Sequence, residues 1–367
     1  MSIFLILLIA FIISIPVLLI LVLKSRNMNL WIMSYIKQRL KDKSTPNIKN
    51  IYFCLADHYE PYFGSASENV ARQRVTNWCE NYPKIAKKHT DSSGNHPKHS
   101  YFYPEEEYDE EIINKIKLLC DKNMGDVEIH LHHDNDTADN LEKTLNSFKE
   151  LLHTKHGLLR KDKNGNIVYG FIHGNWALDN SRPDGKWCGI DNEIDVLIKT
   201  GCVYDMTMPS APSNTQTKTI NSIYLAKEDG KCKSHNTGRI VNANTRIAED
   251  ELLMIQGPLT LNWYSRKLGL IPRIESGELS FDAPPNNIRS LLWESCNVSI
   301  DGDDKNIFIK LHTHGLEDQN VKMFFELNGF ENLWSSLEAS FRDRDGYSLY
   351  YVTAWEMYEK IIEISKN

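Results

Sequence analysis

The sequence lacks the cysteine pattern of a secreted, disulfide-bonded domain. Its seven cysteines are odd in number, and no two of them form a CxxC pair or a repeated spacing. Several, such as Cys54 in the run from Ile51 to Ala56, lie among apolar residues, where a buried and inert thiol is expected. The cysteines therefore predict neither a disulfide framework nor a catalytic nucleophile.

A basic surface of the kind that binds nucleic acid is also missing. The formal net charge is -7, and after residue 49 the lysines and arginines form no stripe interleaved with aromatic residues. These side chains are expected to be ordinary solvated surface, so no nucleic-acid partner is predicted.

Charged residues are absent from residues 3–23, which read IFLILLIAFIISIPVLLILVL. This stretch is long enough to cross a hydrocarbon core of roughly 30 Å as one helix. No basic residue precedes it and no small-residue cleavage pattern follows it, which favours a retained single-pass anchor over a cleaved secretory signal. The positive flank, which follows the span, favours a cytoplasmic domain: Lys24, Arg26, Lys37, Arg39, Lys41 and Lys43.

The rest of the chain is expected to form one domain. We divide the sequence into a transmembrane anchor at 1–24, a basic juxtamembrane linker at 25–49 and a catalytic domain at 50–367. Motifs with the residue types of a reactive site extend from Asp57 to His314, so a single site would have to draw on almost the whole domain.

Apolar periodicity alternates between the strand and helix types along this domain. The predicted elements are the strands Asn50–Ala56, Asp126–His132, Ile167–His173, Gly201–Met206 and Ile307–His312, the helices Asn69–His89, Glu110–Lys122, Asp139–His153 and Asp191–Thr200, and a strand and helix within Ser348–Lys366. This order predicts an α/β fold with parallel strands, of the distorted (β/α) barrel type, whose reactive residues lie at the C-terminal ends of strands.

Histidines and acids gather where three of the predicted strands end. The three motifs are Ala56-Asp57-His58, the segment from Glu128 to Asp136, and the segment from Lys310 to Gly315. If the barrel brings these ends together, imidazoles and carboxylates can form a metal-dependent hydrolytic site.

The middle of these motifs has two histidines on one strand face. His130 and His132 alternate with Ile129 and Leu131, so both imidazoles should point to the same side. His133 and Asp134 leave the strand and are further ligand candidates, and Asp136 can fold back beside His132. Alternatively, Asp136 only caps the helix that begins near Thr137.

The third motif repeats this design, since His312 and His314 lie opposite the apolar face of Ile309 and Leu311. An imidazole titrates near neutral pH, so His312 is a candidate proton donor to a leaving group.

The order of these motifs resembles the polysaccharide deacetylase superfamily, the NodB-like, metal-dependent carbohydrate esterases (family 4-like). The resemblance extends over most of residues 50–360 and implies their barrel and their removal of acyl groups from glycans. It assigns the general base to Asp57, the general acid to His312, and metal ligation to His58, His132 and Asp136. The middle motif that lines the site would correspond to the stretch from Phe171 to Asn180, with His173, Asn175 and Trp176, and with His314, as substrate-binding residues.

The chain departs from the family pattern in two motifs and resembles a divergent, membrane-anchored branch of that superfamily. The first motif has an acid followed by His58 in place of two acids, and the second has Asp136 in place of a second histidine. Two imidazoles and one carboxylate still suit zinc, or another divalent transition metal, and leave a position for water. A glycan substrate fits Trp176, whose flat face can stack on a sugar ring, although core packing explains a tryptophan equally well.

Two other functions remain open from the sequence. One is a glycoside hydrolase that uses Asp57 together with Asp179 or Glu105. The other is a non-catalytic, membrane-anchored glycan-binding or assembly protein. Glycan chemistry outside the cytoplasm also leaves an extracytoplasmic placement of the domain open.

Overall fold

The computed structural model describes residues 16–18, 20–41 and 46–366. Most of the span predicted at 1–24 lies outside these residues. Within the part described, no helix combines the length and the apolar character that crossing a bilayer would require.

Strands and helices alternate through most of the domain. The strands are β1 (Lys49–His58), β2 (His99–Pro104), β3 (Gly125–Leu131), β4 (Arg160–Lys161), β5 (Ile167–His173), β6 (Cys202–Asp205), β7 (Ile223–Ala226), β8 (Arg239–Ile240), β9 (Leu252–Ile255), β10 (Thr260–Lys267), β11 (Ile271–Glu275), β12 (Asn306–Thr313) and β13 (Tyr347–Tyr351). The helices are α1 (Ile32–Leu40), α2 (Glu68–Ala86), α3 (Glu110–Cys120), α4 (Ala138–His156), α5 (Glu193–Thr200), α6 (Asn287–Ser295), α7 (Asp318–Val321), α8 (Gly329–Leu337) and α9 (Ala354–Ser365).

One large sheet dominates the structure, and most of its pairs are parallel. Its strand order is β12-β1-β2-β3-β5-β6-β9-β7-β8, with β13 beside β1 and β4 beside β5. The pairs from β12 to β9 are parallel, whereas β7 pairs antiparallel with β8 and β9. The predicted mixed α/β fold with parallel strands is therefore confirmed.

The sheet curves without a hydrogen-bonded closure among the described residues. No ladder joins β12, at one end of the strand order, to β8 or β9 at the other. Lys310 on β12 instead reaches across, and its Nζ donates to the carbonyl oxygens of Met206 and Met208, each at 2.8 Å. These carbonyls follow β6, so a buried lysine bridges the gap between β12 and the far half of the sheet.

Strand alternation divides the domain into an outer and an inner layer. On β1, Phe53 and Leu55 pack in the same apolar cluster as Trp78 of α2, which lies on the outer face of the sheet. Cys54 and Ala56 belong to the inner cluster. Burial of a large apolar side chain contributes about 1.5 to 3 kcal/mol, so this two-sided burial strongly fixes the register of β1.

Part of the segment predicted as a basic linker packs on the domain. Met28 and Trp31 are buried against Ile220 and Leu259, and α1 follows them. On α1, Gln38 donates from Nε2 to the carbonyl oxygen of Ile220 at 2.7 Å. These contacts attach residues 28–40 to the same body that contains the sheet.

Candidate metal centre

The C-terminal ends of β1, β3 and β12 meet at one edge of the sheet. β1 pairs in parallel with β12, where Ala56 lies opposite His312, and with β2, which in turn pairs in parallel with β3. Because the strands run in the same direction, the residues that follow them emerge on the same side. The histidines of all three motifs therefore reach one region.

Glu60 lies at the centre of these histidines. Its Oε1 atom is 3.3 Å from Nε2 of His130, 3.5 Å from Nε2 of His132 and 3.9 Å from Nε2 of His314. The His58 ring lies beside them, with centroid distances of 4.7 Å to His314 and 4.8 Å to His130. We call these five residues the Glu60 cluster.

Two imidazoles of the cluster are held by their other nitrogen. Nδ1 of His130 donates to the carbonyl oxygen of Ile172 at 2.7 Å, and Nδ1 of His132 donates to the Glu106 carboxylate at 2.5 Å. Protein metal sites commonly orient histidine ligands through such acceptors. Both contacts direct Nε2 of the ring towards Glu60.

Charge and exposure in the cluster suit an accessible metal site. Burial lowers the pKa of His58 well below its usual value, with further lowering by His314 and His130. For Glu60, burial raises the pKa, but the hydrogen bond of His130 and the charge of His314 outweigh it, so the net pKa is lowered. The side chains of His132 and His314 are 30% and 25% exposed. An ionised carboxylate thus faces imidazoles that solvent can reach.

The donor atoms fit a divalent ion in two overlapping triads. His58, Glu60 and His314 place ligand atoms within 4.8 Å of one another, and so do Glu60, His130 and His132. Each triad has two imidazoles and one carboxylate, a set that catalytic zinc sites use while keeping a position open.

The predicted base Asp57 lies on the other side of β1. Its carboxylate is fully buried, and it accepts from Nε2 of His99 at 2.8 Å and from the backbone N–H of Gly315 at 2.6 Å. Because successive side chains of a strand alternate, Asp57 shares the outer face with Leu55 while His58 points inward. Asp57 therefore does not face the Glu60 cluster, and its assignment as general base is corrected.

The predicted ligand Asp136 lies beside the start of α4 instead of joining His58 and His132. Its Oδ1 accepts from the N–H of Thr137 and from Asn140 on α4, each at 2.7 Å. Its Oδ2 accepts from Nδ1 of His133 at 3.1 Å. The residue that caps α4 is Thr137, so the capping interpretation of Asp136 is wrong. The predicted ligand set of His58, His132 and Asp136 is also corrected, because the carboxylate beside the first two is that of Glu60.

The predicted proton donor His312 lies at the inner edge of the cluster. Its ring centroid is 6.4 Å from those of His58 and Trp176. Burial lowers its pKa well below the usual value, and Lys310 and His314 lower it further. Its Nδ1 has no hydrogen-bond partner among the described residues. His312 is therefore close enough to serve a substrate bound at the cluster.

The residues predicted to bind substrate divide between two places. Trp176 lies over the Glu60 cluster, with its ring centroid 5.9 Å from His314 and 6.0 Å from His58. Asn175 precedes it in the single helical turn Gly174–Trp176, where both residues have positive φ angles. His173 is buried elsewhere, with its Nε2 2.8 Å from Nε2 of His133. Of the secondary candidates, His130 joins the Glu60 cluster, His133 pairs with His173, and Asp134 accepts from the backbone N–H of Trp187.

Glu60 and Glu106 are site residues that the sequence motifs did not single out. Glu60 follows His58 by two residues, and Glu106 lies in the acidic turn Glu105–Glu107 after β2. Their position was the available signal, because Glu60 follows the C-terminal end of β1 and Glu106 follows that of β2, which pairs with both β1 and β3.

Neither carboxylate pair proposed for a glycoside hydrolase is supported by this geometry. Asp57 and Asp179 are both fully buried. Asp57 is hydrogen-bonded to His99, and Asp179 accepts from the N–H of Ser234 at 2.6 Å. Each alternative pair requires Asp57 to face the substrate. The orientation of Asp57 is therefore inconsistent with both pairs.

Comparisons with known proteins are sparse. No protein-family model matches the sequence, and neither does any curated protein. Among solved structures, the chain is similar to a crystal structure of a candidate polysaccharide deacetylase from Mycobacterium smegmatis, with 9% identity and a TM-score of 0.42 over 89% of this chain and 94% of that one. At this level of similarity, conclusions about activity depend on the residues of the chain itself.

Proposed function

We propose that the chain is a metal-dependent hydrolase that removes acetyl or other acyl groups, N- or O-linked, from a glycan. The observation that carries this proposal is the convergence of Glu60 with His130, His132 and His314 at the C-terminal ends of parallel strands. Structural metal sites are closed, whereas this cluster keeps two imidazoles partly exposed, as a catalytic site requires.

Zinc, or another divalent transition metal, fits the donor set of imidazoles and a carboxylate. When bound at Glu60 and its histidines, such an ion would polarise an acyl carbonyl and make a water molecule easier to deprotonate. Glu106 and the carbonyl of Ile172 hold Nδ1 of His132 and His130, so Nε2 is the nitrogen that each ring offers for ligation.

A sugar ring is the substrate class that the surroundings of the cluster support. Trp176 presents an aromatic ring within about 6 Å of the cluster histidines, and aromatic faces are apolar surfaces on which sugar rings can pack. The predicted anchor at 1–24 would hold this activity at a membrane, which is part of the proposal.

Proton transfer falls to His312 in this proposal. Nδ1 of His312 is buried without a partner among the described residues, and the ring lies beside His58 and Trp176. The imidazole is thereby positioned to take up the proton of the attacking water and to deliver it to the departing amine or alcohol.

The test uses the full-length purified chain loaded with zinc and a panel of acetylated oligosaccharides. Acetate release should require the metal, and Glu60→Gln should reduce kcat/KM by about 100-fold or more, since even weaker perturbations around metal ligands cost 10- to 100-fold. Glu105→Gln is the matched control, because Glu105 lies on the same edge but outside the cluster.

Three outcomes would overturn the proposal. Release of reducing ends without acetate would assign a glycosidase, and glycan binding without either product would assign a non-catalytic role. Equal acetate release by wild type and Glu60→Gln would remove Glu60 from the site.

A further inference from the structure

A second group of metal-ligand side chains lies apart from the Glu60 cluster. His133, His173, Cys188 and Glu193 place one ligand atom each within 4.8 Å of one another, and we call them the His133 cluster. Nε2 of His133 is 2.8 Å from Nε2 of His173 and 3.2 Å from Oε1 of Glu193. Nε2 of His173 is 3.4 Å from the same carboxylate oxygen.

The two facing imidazole nitrogens create a problem that a cation solves. Nδ1 of His173 contacts the carbonyl oxygen of Gly174, which can only accept, so Nδ1 carries the proton. Nδ1 of His133 contacts the carboxylate of Asp136, and the same reasoning applies. In neutral rings both Nε2 atoms are then unprotonated, and two lone pairs face each other at 2.8 Å.

A proton on Nε2 of His133 would also serve these contacts, since that atom lies 2.8 Å from Nε2 of His173 and 3.2 Å from Oε1 of Glu193; the fourth side chain favours an ion. Four donors converge here, and the fourth is a thiol, with Sγ of Cys188 3.2 Å from Oε2 of Glu193. A tetrahedral ion bound at 2.0 to 2.3 Å separates its ligand atoms by roughly 3.3 to 3.7 Å. The spacings of 3.2 and 3.4 Å between the imidazoles and Glu193 are close to this value.

We propose that the His133 cluster binds a second divalent metal ion, with zinc as the preferred ion, in a closed structural site. Two imidazoles, one carboxylate and one thiolate complete a tetrahedral set with no position left for water. The side chains of His173 and Glu193 are fully buried and that of His133 is 7% exposed. This burial contrasts with the partly exposed Glu60 cluster and agrees with a structural role.

The function of this ion would be to secure the connection between β5 and α5. The ligands are His173 at the end of β5, Cys188 within the connection, and Glu193 at the start of α5, joined to His133 after β3. A backbone hydrogen bond joins the same two segments, since the N–H of Asp136 donates to the carbonyl oxygen of Cys188 at 3.1 Å. The connection also contains Trp176, so the second ion would hold the aromatic wall of the Glu60 cluster in place.

The experiment is metal counting and cobalt spectroscopy on the full-length chain. Wild type saturated with cobalt should show a thiolate-to-metal charge-transfer band, because only this cluster among the two includes a cysteine. Cys188→Ser should lose that band and about one equivalent of metal. The matched control Cys202→Ser, a buried thiol that donates to the carbonyl of Tyr204, should retain both.

This experiment distinguishes a failure of the Glu60 cluster from a failure of the His133 cluster. Glu60→Gln should lower metal content while keeping the thiolate band, whereas Cys188→Ser should lower metal content and lose the band. If Cys188→Ser does not fold, the spectrum of the cobalt-saturated wild type still tests whether the His133 cluster binds metal. Cobalt-saturated wild type without a thiolate band, or with a band that survives Cys188→Ser, overturns the second site.

Discussion

Asp57 and His58 are adjacent in the chain but serve opposite sides of β1. Asp57 is hydrogen-bonded to His99, whose ring packs against Trp78 of the outer layer with a centroid distance of 4.9 Å. His58 lies on the inner side, 4.7 Å from the ring of His314. Asp57 still influences the site indirectly, because it accepts from the N–H of Gly315, the residue after His314.

Replacement of this buried acid should affect stability more than chemistry. Asp57→Asn removes the charge that His99 and Gly315 share, and weakening such buried hydrogen bonds costs about 1 to 3 kcal/mol. We expect a lower free energy of unfolding in urea, with metal content at the Glu60 cluster retained. The exposed partner of Lys117, Asp121, provides the control Asp121→Asn. Unchanged stability together with abolished acetate release would return Asp57 to the role of base.

Substitution of the proposed proton carrier should separate catalysis from metal binding. His312→Gln should reduce kcat by about 10²- to 10⁴-fold, the usual contribution of general acid–base catalysis, without a change in metal content. Steady-state kinetics and metal analysis of the same preparation check this. His153→Gln, on α4 away from the strand ends, is the control and should leave kcat unchanged. A His312→Gln variant as active as wild type would show that another group transfers the proton.

Gly174 permits the close approach of the two motifs that follow β3 and β5. A Cβ atom at this position would overlap the ring of His132 and lie 2.7 Å from the carbonyl oxygen of Leu131. Gly174→Ala should therefore destabilise the fold by about 1 to 3 kcal/mol and displace His132, with loss of metal from the Glu60 cluster.

The control for this variant is Gly185→Ala in the same connection. Gly185 has a φ of 69° but no atom within 4 Å of an added Cβ. It should show only the backbone cost of about 1 to 2 kcal/mol and keep its metal. Equal metal content in both variants would argue against the packing role of Gly174.

His89 should make the stability of the domain depend on pH. Burial opposes its protonation, but hydrogen bonds and charges of Glu338 and Glu331 outweigh burial and raise its pKa above 6.5. The neighbouring cations are Arg342, which pairs with Glu338, and Lys88, which pairs with Glu331.

The direction of this pH dependence follows from the linkage between protonation and folding. A raised pKa in the folded state stabilises the protein fully below the unfolded pKa, and this stabilisation disappears as the pH rises through the folded pKa. His89→Gln should therefore reduce the free energy of unfolding more at about pH 5.5 than at about pH 8.5. Urea unfolding of both proteins at the two pH values measures the difference. A larger loss at the higher pH would contradict the assignment.

The order of apolar and polar residues along the sequence determined the fold class and the edge of the sheet where the histidines and carboxylates lie. A short apolar run in β1 and apolar alternation in β3 and β12 predict strands, and histidines at their ends predict a site where parallel strands terminate. The same alternation correctly placed His130 and His132 on one face, since Nε2 of each lies within 3.5 Å of Glu60.

Only the tertiary structure decided which carboxylate meets which imidazole. Glu60 lies beyond the end of β1. The N–H of Tyr59 donates to the carbonyl oxygen of Phe102 and holds this segment against β2, a contact that no local sequence pattern encodes. Asp136, which the spacing favoured, is held by the N–H of Thr137 and by His133. Neighbouring histidines, His132 and His133, thus enter different clusters, because the direction of a side chain after a strand depends on the curvature of the sheet and on packing between distant segments.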